Sequence, residues 1–340
     1  MSTRAFITGV SGTVLTAAER EFIRAERPWG FILFKRNIEA PDQVSALVGE
    51  LRNCLGDADA PVLIDQEGGR VARLGPPHWP VYPPGAVFGA LYDLDPALGL
   101  TAARLSSRLI AADLIDLGIS VDCLPLADVP VAGADAVIGN RAYGTEPAKV
   151  AAIARAVTEG LELGGVLPVL KHIPGHGRAA ADSHFRLPTV DTSKQELERT
   201  DFTAFQSLAD LPMAMTAHVV FSALDPAHPA TTSATIIRQV IRGVIGFQGL
   251  LMSDDVSMNA LAGSIAERTR AIVNAGCDMV LHCNGKLDEM HDVARETPEL
   301  ADEALDRARR ALASRREPEP FDRQAARAEL DALTDRVGTA

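Results

Sequence analysis

Three short segments concentrate groups able to exchange protons or hold a polar ligand. Residues 64–73 read IDQEGGRVAR and bring Asp65, Glu67, Arg70 and Arg73 together behind an apolar run, with Gly68 and Gly69 free to turn the chain sharply. Residues 171–188 read KHIPGHGRAAADSHFRLP and carry Lys171, His172, His176, Asp182 and His184, so that three of the eight histidines fall in one segment. Residues 250–258 read LLMSDDVSM, where an apolar run meets two adjacent carboxylates, Asp254 and Asp255. Carboxylates supply nucleophiles and bases, imidazole exchanges protons near neutrality, and cations hold anionic or hydroxylated groups.

Each segment also has a purely structural reading. The charges of 64–73 form a rim ion-pair network equally well, and either aspartate of the pair serves as a helix N-cap. Adjacent side chains on a strand face opposite ways, so one of Asp254 and Asp255 enters a site as nucleophile or base while the other caps or pairs outside it. His172 and His176 are four residues apart, as zinc ligands on a helix are, but Pro174 and Gly175 between them forbid a regular helix. A zinc site from His172, His176 and Asp254 is the metal alternative. Arg141 in VIGNRAYG (137–144) and His218 in MTAHVVF (215–221) are expected to complete a ring of donors and acceptors, which suits a neutral polyhydroxylated ligand such as a sugar.

Groups so far apart in sequence need a scaffold that gathers strand ends. Eight apolar, β-rich runs recur at 5–10, 30–34, 61–65, 119–124, 166–170, 212–217, 249–253 and 277–282. Between them lie helical periods, such as Val44, Leu47, Val48 and Leu51, or Val150, Ile153, Ala154, Val157 and Leu161. Ser193 and Glu196 have capping-box spacing, and Pro147 suits a first helical turn. Alternating β and α units with continuous apolar runs imply buried parallel strands. The expected fold is an α/β class (β/α)8 TIM barrel, a single domain over residues 1–340 with a charged, helical C-terminal extension from about residue 299. A doubly wound open sheet is the other arrangement, disfavoured because no G-x-G-x-x-G follows the first run and because polar clusters end several different runs.

Composition narrows the partners. With 33 basic against 45 acidic residues, the formal charge of −12 argues against nucleic acid or an anionic membrane surface. No apolar run approaches the roughly 18 residues of a membrane span, and residues 5–10 are too brief for a signal-peptide core, so a cytoplasmic location is expected. Cys54, Cys123, Cys277 and Cys283 lack metal-type spacing and are expected as reduced core residues.

Six motifs stand in order along the chain from residue 32 to residue 284: ILFKRNIEAPDQV (32–44), IDQEGGRVARL (64–74), KHIPGHG with DSH (171–184), AHVVFSALDPAHPATTS (217–233), MSDDVSM (252–258) and AGCDMVLHCN (275–284). Together they resemble glycoside hydrolase family 3, and within it the single-domain β-N-acetylglucosaminidases that recycle peptidoglycan in bacteria. The resemblance implies that Asp254 is the nucleophile of a retaining mechanism, with Asp255 secondary, and that His184 is the general acid/base with Asp182 as its carboxylate partner. It further implies that Asp65, Arg73, Arg141, Lys171 and His172 bind the terminal N-acetylglucosamine, so that losing Arg73 or Lys171 should harm turnover more than folding. A muropeptide or N-acetylglucosaminide substrate follows, with no metal or organic cofactor. A phosphorylase of the same fold, a metal-dependent barrel hydrolase and a catalytically silent sugar-binding protein are the alternatives. Ile173 stands where the family usually has Phe, and residues 179–181 are alanines in place of more polar ones.

Overall fold

Every second residue of a strand faces the same side of its sheet, and the apolar runs of this chain sort their side chains accordingly. The computed structural model describes residues 2–134, 136–179, 183 and 187–338. Eight parallel strands close into a barrel: β1 (Arg4–Thr8), β2 (Pro28–Leu33), β3 (Val62–Ile64), β4 (Val121–Asp122), β5 (Leu167–Ile173), β6 (Met213–Thr216), β7 (Leu250–Asp255) and β8 (Met279–His282). β1 pairs with both β2 and β8, which rules out the open doubly wound sheet. Inside lie Ile7, Leu63, Val121, Val169, Met213, Met252 and Leu281. Their neighbours Phe6, Val62, Leu170, Ala214, Leu251 and Val280 point outward under the helices.

The helices start and stop where local chemistry dictates. Thr16 and Glu19 form a capping box at the start of α1 (Ala17–Glu26), and Ser264 and Glu267 form another ahead of the helix Ile265–Ala275. Pro41 opens the helix Pro41–Leu55 and Pro147 the helix Pro147–Leu163; the apolar positions read from both periods are buried. Ser193 caps the helix Lys194–Arg199 by accepting from the Glu196 amide. A short parallel pair, Thr189–Val190 with Val220–Phe221, lies outside the barrel.

Several strand ends differ from the periodic reading, those of β5 and β4 for identifiable reasons. β5 runs on to Ile173 rather than stopping at residue 170, because Ile173 pairs with Thr216 of β6 and its carbonyl accepts from the Ala217 amide. β4 keeps ladder geometry for only two residues and ends short of Pro125, which has no amide hydrogen to donate.

The charged tail does more than coat the surface. Residues 298–300 bond to the first strand segment, with Ala5 N donating to Pro298 O and Leu300 N to Thr3 O. The helix Asp302–Ala313 then lays Ala308 and Ala311, with Leu300 before it, against the interior residues at the barrel floor. The last helix, Arg323–Thr334, buries Ala326, Leu330 and Leu333, and Arg323 pairs with Asp116 of the long helix Pro96–Asp116. Among the described residues no helix is long and apolar enough to cross a membrane.

The floor seal yields a test. Leu300→Ala should lower the unfolding free energy by about 2–4 kcal/mol, the usual cost of a cavity in an apolar core, read from the urea midpoint. Catalytic parameters should stay unchanged because the floor is remote from the mouth; a fall in kcat/KM at intact stability would contradict this division.

Candidate active site

Strand parity selects the side chains that reach the barrel mouth. The inward columns Leu63, Val169, Met252 and Leu281 continue, two residues on, into Asp65, Lys171, Asp254 and Cys283. These four line a cavity of about 230 Å³ at the C-terminal ends of the strands, together with Glu67, Arg73, Arg141, His172, His176, Ser183 and Asp255. Ring order places β3 and β7 four strands apart, on opposite sides of the barrel, so Asp254 faces the Asp65 segment across the cavity.

Five charges interlock on the β3–β5 side. The Lys171 ammonium lies 2.9 Å from Asp65 Oδ1 and 2.6 Å from Glu67 Oε1. Arg73 Nη2 donates to Asp65 Oδ2 at 3.0 Å. Arg141 holds Glu67 through two parallel bonds, Nε to Oε2 at 2.8 Å and Nη2 to Oε1 at 2.7 Å. Burial alone would raise the carboxyl pKa of Asp65, but the Lys171 and Arg73 charges outweigh it and hold it well below the usual range. For Glu67, burial is likewise overcome by Lys171 and Arg141, to about 2. Burial disfavours the Lys171 charge too, yet the two carboxylates keep it above the ordinary lysine range. Lys171 therefore has protein partners of its own, contrary to the expectation that its removal would chiefly strand a ligand.

The loop that presents Asp65 and Glu67 is braced from within. Gln66 Oε1 accepts from the amides of Arg73 and Leu74 at 2.8 and 2.9 Å, and its Nε2 donates to the Leu74 carbonyl at 3.1 Å. Gly68 and Gly69 adopt positive φ of 97° and 54°, and a Cβ on Gly68 would meet the Pro83 carbonyl oxygen at 2.4 Å. Only glycine fits that turn.

The two aspartates of the SDD segment separate by their bonds. Asp255 Oδ1 accepts from the amides of Ser257 and Cys283 at 3.0 and 3.1 Å, and Oδ2 from the Ser257 hydroxyl at 2.6 Å. It shapes the turn after β7 while still lining the cavity; the helix that follows is capped by Ser264 and not by either aspartate. Asp254 Oδ1 accepts from the Asp255 amide at 2.7 Å, and its own amide donates to Thr216 Oγ1 at 3.3 Å.

His172 Nδ1 lies 2.7 Å from Asp128 Oδ2, and His176 Nε2 lies 3.0 Å from Ser183 Oγ. Burial, then the neighbouring His172, lowers the His176 pKa to about 4. Among the described residues no three His, Cys, Asp or Glu side chains come together as a metal site. Of the residues read from sequence, the structure brings Asp65, Arg73, Arg141, Lys171, His172 and Asp254 to one cavity. Asp182 and His184 lie outside the described residues. His218 does not reach the ring expected of it: fully buried and outside the cavity lining, it bonds Thr231 Oγ1 at 2.8 Å and the Asp255 carbonyl at 2.9 Å. Glu67 was visible at the rim but not assigned a partner. Asp128 was missed, though a single acid inside CLPLADVPV (123–131) was a signal of buried pairing.

A carboxylate at the seventh strand end, facing hydrogen-bonding side chains across a closed parallel barrel, defines a barrel enzyme for a polar, hydroxyl-rich ligand. Residues 10–314 match the Glycosyl hydrolase family 3 N terminal domain, and the chain belongs to this family of glycoside hydrolases. The beta-hexosaminidase of Alkalilimnicola ehrlichii is 40% identical over 280 residues, 81% of this chain and 79% of its own. That of Bordetella avium is 36% identical over 304 residues, 88% of this chain and 82% of its own. Native NagZ from Neisseria gonorrhoeae superposes with a TM-score of 0.88 at 31% identity, covering 98% of both chains. A structure of that protein in complex with N-trifluoroacetyl-D-glucosamine also superposes with a TM-score of 0.88, covering 98% of this chain and 99% of its own.

The interlocked charges make stability depend on acid. Lys171→Ala leaves two buried carboxylates short of a counter-charge and should cost about 3–5 kcal/mol of folding free energy. Glu67 has a depressed folded pKa, so its contribution is fully present above the ordinary value of 4.5 and is lost as pH falls toward about 2. Urea titrations between pH 6 and 3 should show this loss in the wild type and a flatter profile in Glu67→Gln. Wild-type stability in Lys171→Ala would remove the network from the account.

Proposed function

We propose that the chain is an exo-acting, retaining β-N-acetylglucosaminidase that removes terminal β-linked N-acetylglucosamine from muropeptides through a covalent glycosyl-enzyme. The observation that carries this reading is the position of Asp254, whose carboxylate faces the Asp65, Arg73, Lys171 and His172 wall across one small cavity. A single sugar gripped from one side places its anomeric carbon toward the carboxylate opposite. The beta-hexosaminidase relatives and the glucosamine derivative in complex with the Neisseria protein support the choice of sugar.

In the first step the Asp254 carboxylate attacks the anomeric carbon, the bond to the leaving oxygen breaks, and His184 donates the proton that this oxygen takes up. In the second, His184 accepts a proton from water, which displaces Asp254 and frees the sugar with retained configuration. Asp182 would stabilise the imidazolium form of His184 between the steps. Asp65, Arg73, Arg141, Lys171 and His172 would hold the sugar's hydroxyl and acetamido groups, and no cofactor enters either step. We place the reaction in the cytoplasm, a reading supported by four buried free cysteines.

An aryl β-N-acetylglucosaminide should be cleaved and its β-glucoside counterpart cleaved far more slowly. Asp254→Ala should lose more than about 10³-fold in kcat at an unchanged unfolding midpoint, while Asp255→Ala should keep more activity and lose stability through its turn bonds. His184→Ala should release an activated phenol in a burst before a slow steady state. Equal rates on both aryl glycosides would overturn the sugar assignment, and a fully active Asp254→Ala would overturn the nucleophile.

A further inference from the structure

Asp128 lies just past the regular part of β4, where the chain still follows β5: Ala127 N donates to Lys171 O at 2.7 Å, and Lys171 N donates to Pro125 O at 3.0 Å. This brings a fully buried carboxylate beside His172. Its Oδ1 accepts from two amides, His176 N at 2.6 Å and His172 N at 3.3 Å, and its Oδ2 lies 2.7 Å from His172 Nδ1. Burial disfavours its charge, but the two histidines outweigh that effect and keep its pKa below the ordinary aspartate value. An ionised carboxylate only accepts, so the ring nitrogen facing it must carry hydrogen. His172 lines the cavity, which leaves Nε2 for a bound ligand.

We propose that Asp128 is a positioning residue that sets the hydrogen-bonding polarity of His172, holding hydrogen on Nδ1 so that the ring presents Nε2 as an acceptor to a hydroxyl of the bound sugar. The identity of that ligand rests on the glycosidase reading above; the polarity itself does not. The same oxygen that takes the His172 amide also takes the His176 amide, so one carboxylate fixes the end of β5 and the start of the segment leading to Asp182 and His184.

Asp128→Asn changes the polarity with almost no change of shape. The carboxamide oxygen must stay at the Oδ1 position, because an NH2 there would confront two amide donors. The NH2 then faces Nδ1, and the imidazole satisfies it only by moving its hydrogen to Nε2, turning the acceptor in the cavity into a donor.

Nitrogen-15 NMR of the imidazole groups in the full-length protein, with His172 assigned by its loss in His172→Gln, reads this directly. The wild type should show the Nδ1–H tautomer and Asp128→Asn the Nε2–H tautomer. On an aryl β-N-acetylglucosaminide, Asp128→Asn should lose roughly 10- to 100-fold in kcat/KM, the scale of one mismatched buried hydrogen bond. In the His172→Gln background the same substitution should change kcat/KM by less than about twofold, as expected of residues acting through one another. Hydrogen on Nε2 in the wild type, or equal losses in both backgrounds, would overturn the proposal. Should Asp128→Asn fail to fold, the wild-type tautomer alone decides. A wild type inactive on the aryl substrate would sink the glycosidase reading and leave the tautomer measurement to judge Asp128.

Discussion

One buried ammonium shared between two carboxylates governs the mouth of this barrel. Lys171 is 2% exposed, and its charge is tolerable there only because Asp65 and Glu67 meet it and are in turn met by Arg73 and Arg141. Desolvating such groups costs several kcal/mol per ion, which close pairing with good geometry offsets. The pairs join β5 to the loop after β3 and to the segment that follows β4, adding side-chain links to the ladders that already set β3, β4 and β5 side by side. A ligand entering the cavity finds donors and acceptors already held in place and loses little in ordering them.

The frame around the network is rigid for a separate reason. Interior side chains fill the barrel below the cavity, and the helix Asp302–Ala313 closes its floor, so the strand ends have fixed positions relative to one another. Function is gathered at one end, where the Lys171 network also adds to stability, while the floor contributes packing alone. Opposed strands β3 and β7 then set the span between the gripping side chains and Asp254.

Neighbouring groups of one type take different roles through their bonds. Asp255 is committed to Ser257 and Cys283 in the turn, whereas Asp254 continues the inward column of β7. His172 reaches the cavity with Asp128 behind it, while His218, of the same chemistry, is turned away and supports the Asp255 carbonyl. Residue type nominates candidates, and hydrogen bonding divides them.

Much of this was legible in the chain. Eight apolar runs, helical periods at Val44–Leu51 and Val150–Leu161, and caps at Ser193 and Pro147 are local signals, and local signals encode elements and their parity. Parity alone carries the inward column of Met252 to Asp254, and that of Val169 to Lys171. Tertiary structure decided the rest. Lys171 and Asp65 are 106 residues apart, and no period connects them; only the parallel pairing of β3 with β4 and of β4 with β5 brings them together. The extension of β5 to Ile173 depends on a partner strand, because a ladder lasts as long as its neighbour supplies bonds. Asp128 and His218 illustrate the same limit: which oxygen or amide faces a side chain is set by packing between distant segments, so the chain alone supplied the acid and the imidazole while the fold determined what each one touches.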